Sequence, residues 1–308
     1  MFDFNSIVPK DTLKFWFIRD EVYDTWSVYD IVDVLKNPKD SAPIAYFDEP
    51  TSSVSRKTDL DMNDADVISA FEIFKTSRPE YLVGQDIPNT LLADNTATAE
   101  AINDRSYMFD AILTGAILMQ EIDDVRGIKM AERCINWLRS TDFYTAPAST
   151  RFHEAEPGGL VKHTLKVLVQ MYQLLTLPTF VNSMFADDDV PLHEAVLAAL
   201  THDWCKIGKY EPSTRNVKNE KTGTWEKVPC YNYKESDIPF GHGIASMYIA
   251  QKFFRLNMQQ ALAIRWHMGR WYIADSDIND LQHSNEKYPL VHLIQFADQL
   301  AITDYAVY

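Results

Sequence analysis

The spacing of hydrophobic positions changes about a third of the way along the chain. Before residue 105 the pattern is mixed. Leu13-Lys14-Phe15-Trp16-Phe17-Ile18 is an aromatic and aliphatic run that predicts a strand. From Trp26 to Leu35, Val28, Ile31, Val32 and Leu35 recur at helical intervals, and Asn37-Pro38 stops the expected helix. Residues 48–66 are polar and acidic and predict a loop. A tract with Gly84, Pro88 and many Thr, Ala, Asn and Asp residues over 84–104 places a domain boundary near 95–105. From 106 onward helical spacing dominates. Helices are expected over 108–120, 128–139, 160–177, 192–207, 243–256, 258–268 and 289–303. Residues 212–240 interrupt that pattern, and Lys221-Thr222-Gly223-Thr224 predicts the turn of a hairpin between two polar strands. The expected fold class is mainly α. It combines an all-helical bundle over 106–308, carrying an inserted β-hairpin, with a smaller α+β domain over 1–105.

Composition narrows the function classes. Of 308 residues 46% are hydrophobic and 12% aromatic, which supplies a core and excludes wholesale disorder. No apolar run approaches the ~18 residues that span a bilayer. The N-terminus, MFDFNSIVPKD, has neither a basic nor an apolar leader region. A soluble, cytoplasmic protein is expected, without a membrane partner. Three scattered cysteines, Cys134, Cys205 and Cys230, argue against a disulfide framework and against a cysteine zinc site. The net charge is -15, with 10 basic and 20 acidic residues in 1–105 alone. Such a chain is no general electrostatic partner for long DNA, so contact with a polyanion must be local.

The histidines supply the candidate chemistry. His163 lies early in one expected helix, and His202-Asp203 ends the apolar run Val196 to Leu200. His242 opens another helix, His267 closes a further one, and Asp298 sits among Ile294, Phe296 and Leu300. Polar groups in such apolar surroundings are costly to bury unpaired. A divalent metal resolves that cost, because it accepts neutral imidazoles and carboxylates together.

This order of residues resembles the HD-domain superfamily of metal-dependent phosphohydrolases over about 143–304. The segment Phe143 to His153, then Gly158-Gly159-Leu160 and His163, is similar to HD proteins encoded by bacteriophages and prophages. It is more distantly similar to bacterial HD-type 3′–5′ exoribonucleases. Arg215-Asn216-Val217-Lys218, Gly241-His242-Gly243 and Ile264 to Gly269 resemble the same phage group. The resemblance implies that His163, His202, Asp203 and Asp298 bind one divalent ion, with Mn, Fe, Co or Ni foremost and Mg or Zn also open. His242 and His267 match the extra ligands of two-metal members, in which Asp203 bridges ions roughly 3.5–4 Å apart. Asp203 and Lys206 are then the catalytic pair, Lys206 meeting the substrate phosphate. Trp204 and Cys205 replace the small residues usual after the HD pair. The remaining substrate contacts expected are Arg151, His153, Arg215, Lys218 and Trp266, the last as a stacking ring. His193, His283 and His292 are expected on surfaces or helix flanks.

The inserted hairpin carries Arg215, Lys218, Lys221, Trp225, Lys227, Tyr231, Tyr233 and Lys234. Basic residues interleaved with aromatics suit phosphate and base contacts, and a solvated hairpin packing its aromatics on the domain is the equal alternative. The expected substrate is a nucleotide, a short oligonucleotide or a nucleotide second messenger. Two rivals stand beside hydrolysis. HD-fold diiron oxygenases use nearly the same ligands. Phe15-Trp16-Phe17, Trp26 to Leu35 and Tyr46-Phe47 also resemble the N-terminal domain of phage antirepressors and baculovirus BRO proteins, which implies a DNA-binding regulator. The acidic charge of 1–105 favours packing or homo-oligomerisation over DNA binding there.

Overall fold

A computed structural model describes residues 15–20, 25–30, 45–48, 53–56, 68, 87, 92, 98–120, 124–177, 190–234, 238–271 and 273–302. The chain divides into two compact units, essentially 3–82 and 83–308.

In the first unit four strands form an antiparallel meander in the order β1-β2-β3-β4: β1 (Phe15–Asp20), β2 (Thr25–Asp30), β3 (Ala45–Asp48) and β4 (Ser53–Arg56). Trp26 pairs with both Arg19 and Phe47, so β2 is the inner partner of two ladders. This corrects the helix expected from Trp26. The segment also carries Thr25, Trp26, Val28 and Tyr29, and β-branched and aromatic residues suit a pleated surface. Pairing with strands on both sides outweighs a helical spacing of only a few positions. The remainder of that expected helix, 31–35, lies outside the described residues. The loop expected over 48–66 is likewise corrected at Ser53–Arg56, which pairs with β3.

The second unit is helical: α1 (Ala99–Gln120), α2 (Asp124–Arg139), α3 (Gly159–Thr176), α4 (Leu192–Thr201), α5 (His242–Ala250), α6 (Met258–Trp266), α7 (Ile278–Lys287) and α8 (Pro289–Ala301). The helix α7 was not expected, since its sequence is mostly polar and only Leu281 and Ser284 are buried. At the centre stands α4, whose residues Ala195 to Thr201 are all buried. A helix apolar on every side belongs inside a domain, and α4 packs against α1, α3, α6 and α8. Its C-terminal cap is His202, which therefore emerges in the core. The helix expected to run to Ile207 instead tightens into a 3-10 turn at Trp204–Lys206. No helix among the described residues is long and apolar enough to cross a membrane.

The expected hairpin forms from β5 (Tyr210–Lys218) and β6 (Trp225–Tyr233). Its base is anchored where Tyr231 N–H donates to the Thr150 carbonyl at 2.9 Å.

Three glycines, Gly158, Gly159 and Gly243, show why the site segments read as they do. Gly158 takes φ +75° at the start of α3, and a Cβ on Gly159 would lie 2.0 Å from the Glu154 carbonyl oxygen. A Cβ on Gly243 would lie 2.0 Å from the Arg265 carbonyl oxygen, whereas one on Gly241 would meet nothing. We expect Gly243→Ala to cost about 1–3 kcal/mol, because backbone must move away from backbone. We expect Gly241→Ala to change stability by less than ~0.5 kcal/mol. Urea midpoints of the two variants compare them directly, and equal midpoints would remove the close approach as the reason for Gly243.

A buried polar group bridges α1 and α2. Asp110 accepts hydrogen bonds from the Tyr144 hydroxyl and the Arg139 guanidinium. Burial pushes its carboxyl up to about 6, against the pull of Tyr144 and Arg139. The folded chain therefore holds a proton over a window, about pH 4 to 6, in which the unfolded chain has released it. Asp110's contribution to stability is complete below that window and is lost as pH rises through it. The expected loss is on the order of 2–3 kcal/mol. Unfolding free energies of the wild type minus those of Asp110→Asn, measured across pH 4–6, should fall by that amount; a constant difference would mean that the carboxyl is ionised throughout.

Candidate metal centre

Five segments deliver the centre. On α3, Leu160, Val161, Leu165 and Leu168 are buried, and His163 shares that inward side with 1% exposure. The cap of α4 supplies His202 and the next residue Asp203. His242 begins α5, and His267 caps α6. On α8, Val291, Ile294 and Ala297 are buried, and Asp298 lies four residues after Ile294, one helical turn along.

Asp203 is the hub. Its Oδ1 lies 2.8 Å from His242 Nε2 and 3.6 Å from His267 Nε2. Its Oδ2 lies 3.3 Å from His202 Nε2 and 3.5 Å from His163 Nε2. Asp298 Oδ1 lies 3.1 Å from His163 Nε2 and 3.9 Å from His202 Nε2. All six residues of the expected ligand set thus meet around one point, including His242 despite its glycine-flanked position.

The imidazoles are oriented as ligands are. His202 Nδ1 lies 2.6 Å from the Ala199 carbonyl oxygen, and His267 Nδ1 lies 2.7 Å from that of Ile264. Each Nδ1–H then donates to backbone, and each Nε2 lone pair faces inward. Both Nε2 atoms are buried and lack a hydrogen-bond partner. Unpaired buried acceptors turned toward two carboxylates fit a cation. His163, His202 and Asp203 lie close enough to share one ion, as do Asp203, Cys205 and His242, and as do His153, Glu154 and His163.

Electrostatics agree with that fit. Burial alone would lower His202, but Asp203 and Asp298 outweigh it and hold the imidazole above its ordinary value. Burial alone would raise Asp203, yet Lys206 and His202 keep it well below the usual carboxylate range. Asp298 is likewise held low against burial, chiefly by the His163 imidazole beside it. Burial puts His242 below its ordinary value although Asp203 opposes it. Burial also pushes the Cys205 thiol up to about 12, so it is no thiolate in this surrounding.

The expected substrate contacts divide. Lys206 sets its ammonium 2.6 Å from Asp203 Oδ2, on the centre itself. His153 stacks its ring 4.9 Å from that of His163, and burial followed by His163 and Lys206 lowers it to about 4. Arg151 is exposed, with its guanidinium over the Phe152 ring at 5.2 Å. Lys218 pairs with Trp225 across the hairpin, so both side chains share a face, and Trp225 is 70% exposed. Arg215 pairs with Val228 and belongs to the opposite face. Trp266 corrects the expectation of an open stacking ring. It is 4% exposed and carries Arg265 against its face at 4.2 Å, which makes it a packing residue beside His267. His193, His283 and His292 lie outside the cluster; His292 stacks on Phe296 at 6.1 Å.

Glu154 escaped the sequence reading. Its side chain is 5% exposed, Oε1 lies 2.6 Å from Lys166 Nζ, and Oε2 faces His163 Nδ1 at 3.8 Å. The only signal was a carboxylate in the loop leading into a histidine-bearing helix. Compared with protein-family models, curated proteins and solved structures, the chain matches none.

Proposed function

We propose that this chain is a metal-dependent phosphohydrolase of the HD kind, acting on the phosphate ester of a nucleotide, a short oligonucleotide or a nucleotide second messenger. The observation that carries the reading is the convergence of four imidazoles and two carboxylates in one buried cluster with Asp203 as its hub. His163, His202, Asp203 and Asp298 would hold one divalent ion, with His242 and His267 completing a site for a second. A bound ion supplies Lewis acidity toward phosphoryl oxygen and water that is nucleophilic at neutral pH.

The chain's own residues do the rest. Lys206, buried beside Asp203, brings positive charge to the phosphoryl group. Burial would lower its pKa, but Asp203 outweighs burial and keeps the ammonium charged. His153 is neutral at physiological pH, and its buried Nε2 has no partner, so it can hydrogen-bond the leaving oxygen. Outside the centre, Lys218, Trp225 and Lys227 share one hairpin face, where a base can stack and phosphates meet ammonium groups. The net charge of -15 keeps long polyanions away from the rest of the surface.

The test is metal analysis joined to a product screen. Purified protein loaded with Mn²⁺ or Co²⁺ is offered mononucleotides, cyclic dinucleotides and short RNA and DNA, and products are read by mass spectrometry. Phosphate-ester cleavage that follows metal content supports the reading. Oxygen uptake by iron-loaded protein without cleavage would replace it with oxygenase chemistry.

A further inference from the structure

We infer that Glu154 is the positioning residue of the metal centre, its carboxylate receiving the Nδ1–H of His163 so that Nε2 stays turned to the ion. The inference rests on the metal-centre reading above. It starts from an asymmetry among the imidazoles. His202 and His267 cap their helices, and each ties Nδ1 to the carbonyl three residues earlier. His163 lies inside α3, where the nearby Leu160 carbonyl already takes the Thr164 hydroxyl at 2.9 Å. Its Nδ1 is buried and has no hydrogen-bond partner. The orienting group must therefore come from outside the helix.

Glu154 is built for that place. Its Oε2 is also buried without a hydrogen-bond partner and faces Nδ1 at 3.8 Å. Closing to hydrogen-bond length requires a shift of about 1 Å. Oε1 is held at 2.6 Å by Lys166, which is three residues after His163 and so on the same side of α3. The backbone is fixed as well. Glu154 has φ +41°, its carbonyl accepts from Ala148 N–H at 3.0 Å, and that carbonyl packs where Gly159 has no Cβ. The loop thus seats one carboxylate against one imidazole, with a lysine holding its far oxygen. A carboxylate behind a ligating histidine fixes the tautomer and raises the basicity of the ligand nitrogen.

The rival is that Glu154, His153 and His163 Nδ1 hold an ion of their own, since their ligand atoms lie within 4.8 Å of one another. Mn²⁺ titrations of the full chain, read by the electron paramagnetic resonance of free Mn²⁺, separate the two. Glu154→Gln should weaken binding about 10-fold and Glu154→Leu about 100-fold, with the number of ions per chain unchanged. Lys166→Met breaks the same loop-to-helix ion pair but keeps the carboxylate. It should bind Mn²⁺ within about 3-fold of wild type, whereas a merely structural role would make it match Glu154→Leu. Unchanged affinity in Glu154→Leu, affinity in Lys166→Met as poor as in Glu154→Leu, or the loss of one ion of two would each overturn the inference while leaving the metal centre standing. Wild-type protein that takes up no Mn²⁺, Co²⁺ or Fe²⁺ would remove the metal reading and this inference together.

Discussion

Asp203→Asn is expected to empty the centre of its ion and bring Mn²⁺-dependent cleavage of a generic phosphodiester down to background. No other side chain serves so many partners. One carboxylate stands 2.6 to 3.6 Å from Lys206 and from four imidazoles. The amide keeps the shape but loses the negative charge that, with the surrounding imidazoles, favours a cation. A second consequence follows from burial. Lys206 is 8% exposed, and without Asp203 its ammonium loses its nearest counter-charge. Leaving a buried charge uncompensated costs about 3–5 kcal/mol, so the single variant should also melt early. Asp203→Asn with Lys206→Met separates the effects: stability should return and metal should not. Elemental analysis of the purified double variant decides this. Stoichiometric metal with full turnover in either variant would remove Asp203 from the centre.

Trp204→Ala is expected to be the most damaging change away from the ligands. Trp204 is fully buried, with ring centroids 5.9 Å from Trp137, 6.3 Å from Phe143, 6.1 Å from Phe253 and 6.0 Å from Phe254. It ties α2, the loop after it and the segment following α5 into one aromatic cluster. Truncating a buried tryptophan costs about 3–5 kcal/mol. Denaturant midpoints should record that loss. Trp204→Phe should lose much less, since the indole N–H that it removes has no hydrogen-bond partner. A Trp204→Ala variant as stable as wild type would mean that the cluster collapses to fill the space. The residue next to the hub thus anchors the backbone from which Asp203 projects, and it points its ring into the core.

Much of this was legible in the order of residues. Polar His202-Asp203 after five apolar residues, and Asp298 within an apolar helix, declare buried chemistry because lone polar groups are costly there. The helices expected over 108–120 and 128–139 are found within α1 and α2, although α1 starts earlier, at Ala99, and buries residues 109–117 on every side. Other features were hidden for physical reasons. β2 carries an ambiguous spacing that only two neighbouring strands resolve. Trp266 sits beside a centre histidine in sequence, and only packing shows it to be enclosed. Which residues Arg215 and Lys218 meet across the hairpin, Val228 and Trp225, depends on register, which the turn and the pairing set. Glu154 is invisible because its partner, His163, lies across a turn at positive φ.

The amino-acid sequence by itself determined which residue types this protein buries and where most helices of the second unit run, and its resemblance to a known family singled out six side chains as candidate ligands. The first two are consequences of local period and of the cost of hiding polarity. Tertiary structure alone decided that the six meet at Asp203, that Lys206 sits on the same carboxylate, and that Glu154 faces the back of His163. Distances of a few ångströms between residues up to 135 positions apart depend on how α4 is enclosed by α1, α3, α6 and α8. Packing of that kind belongs to all the contacts at once, not to any local run of sequence.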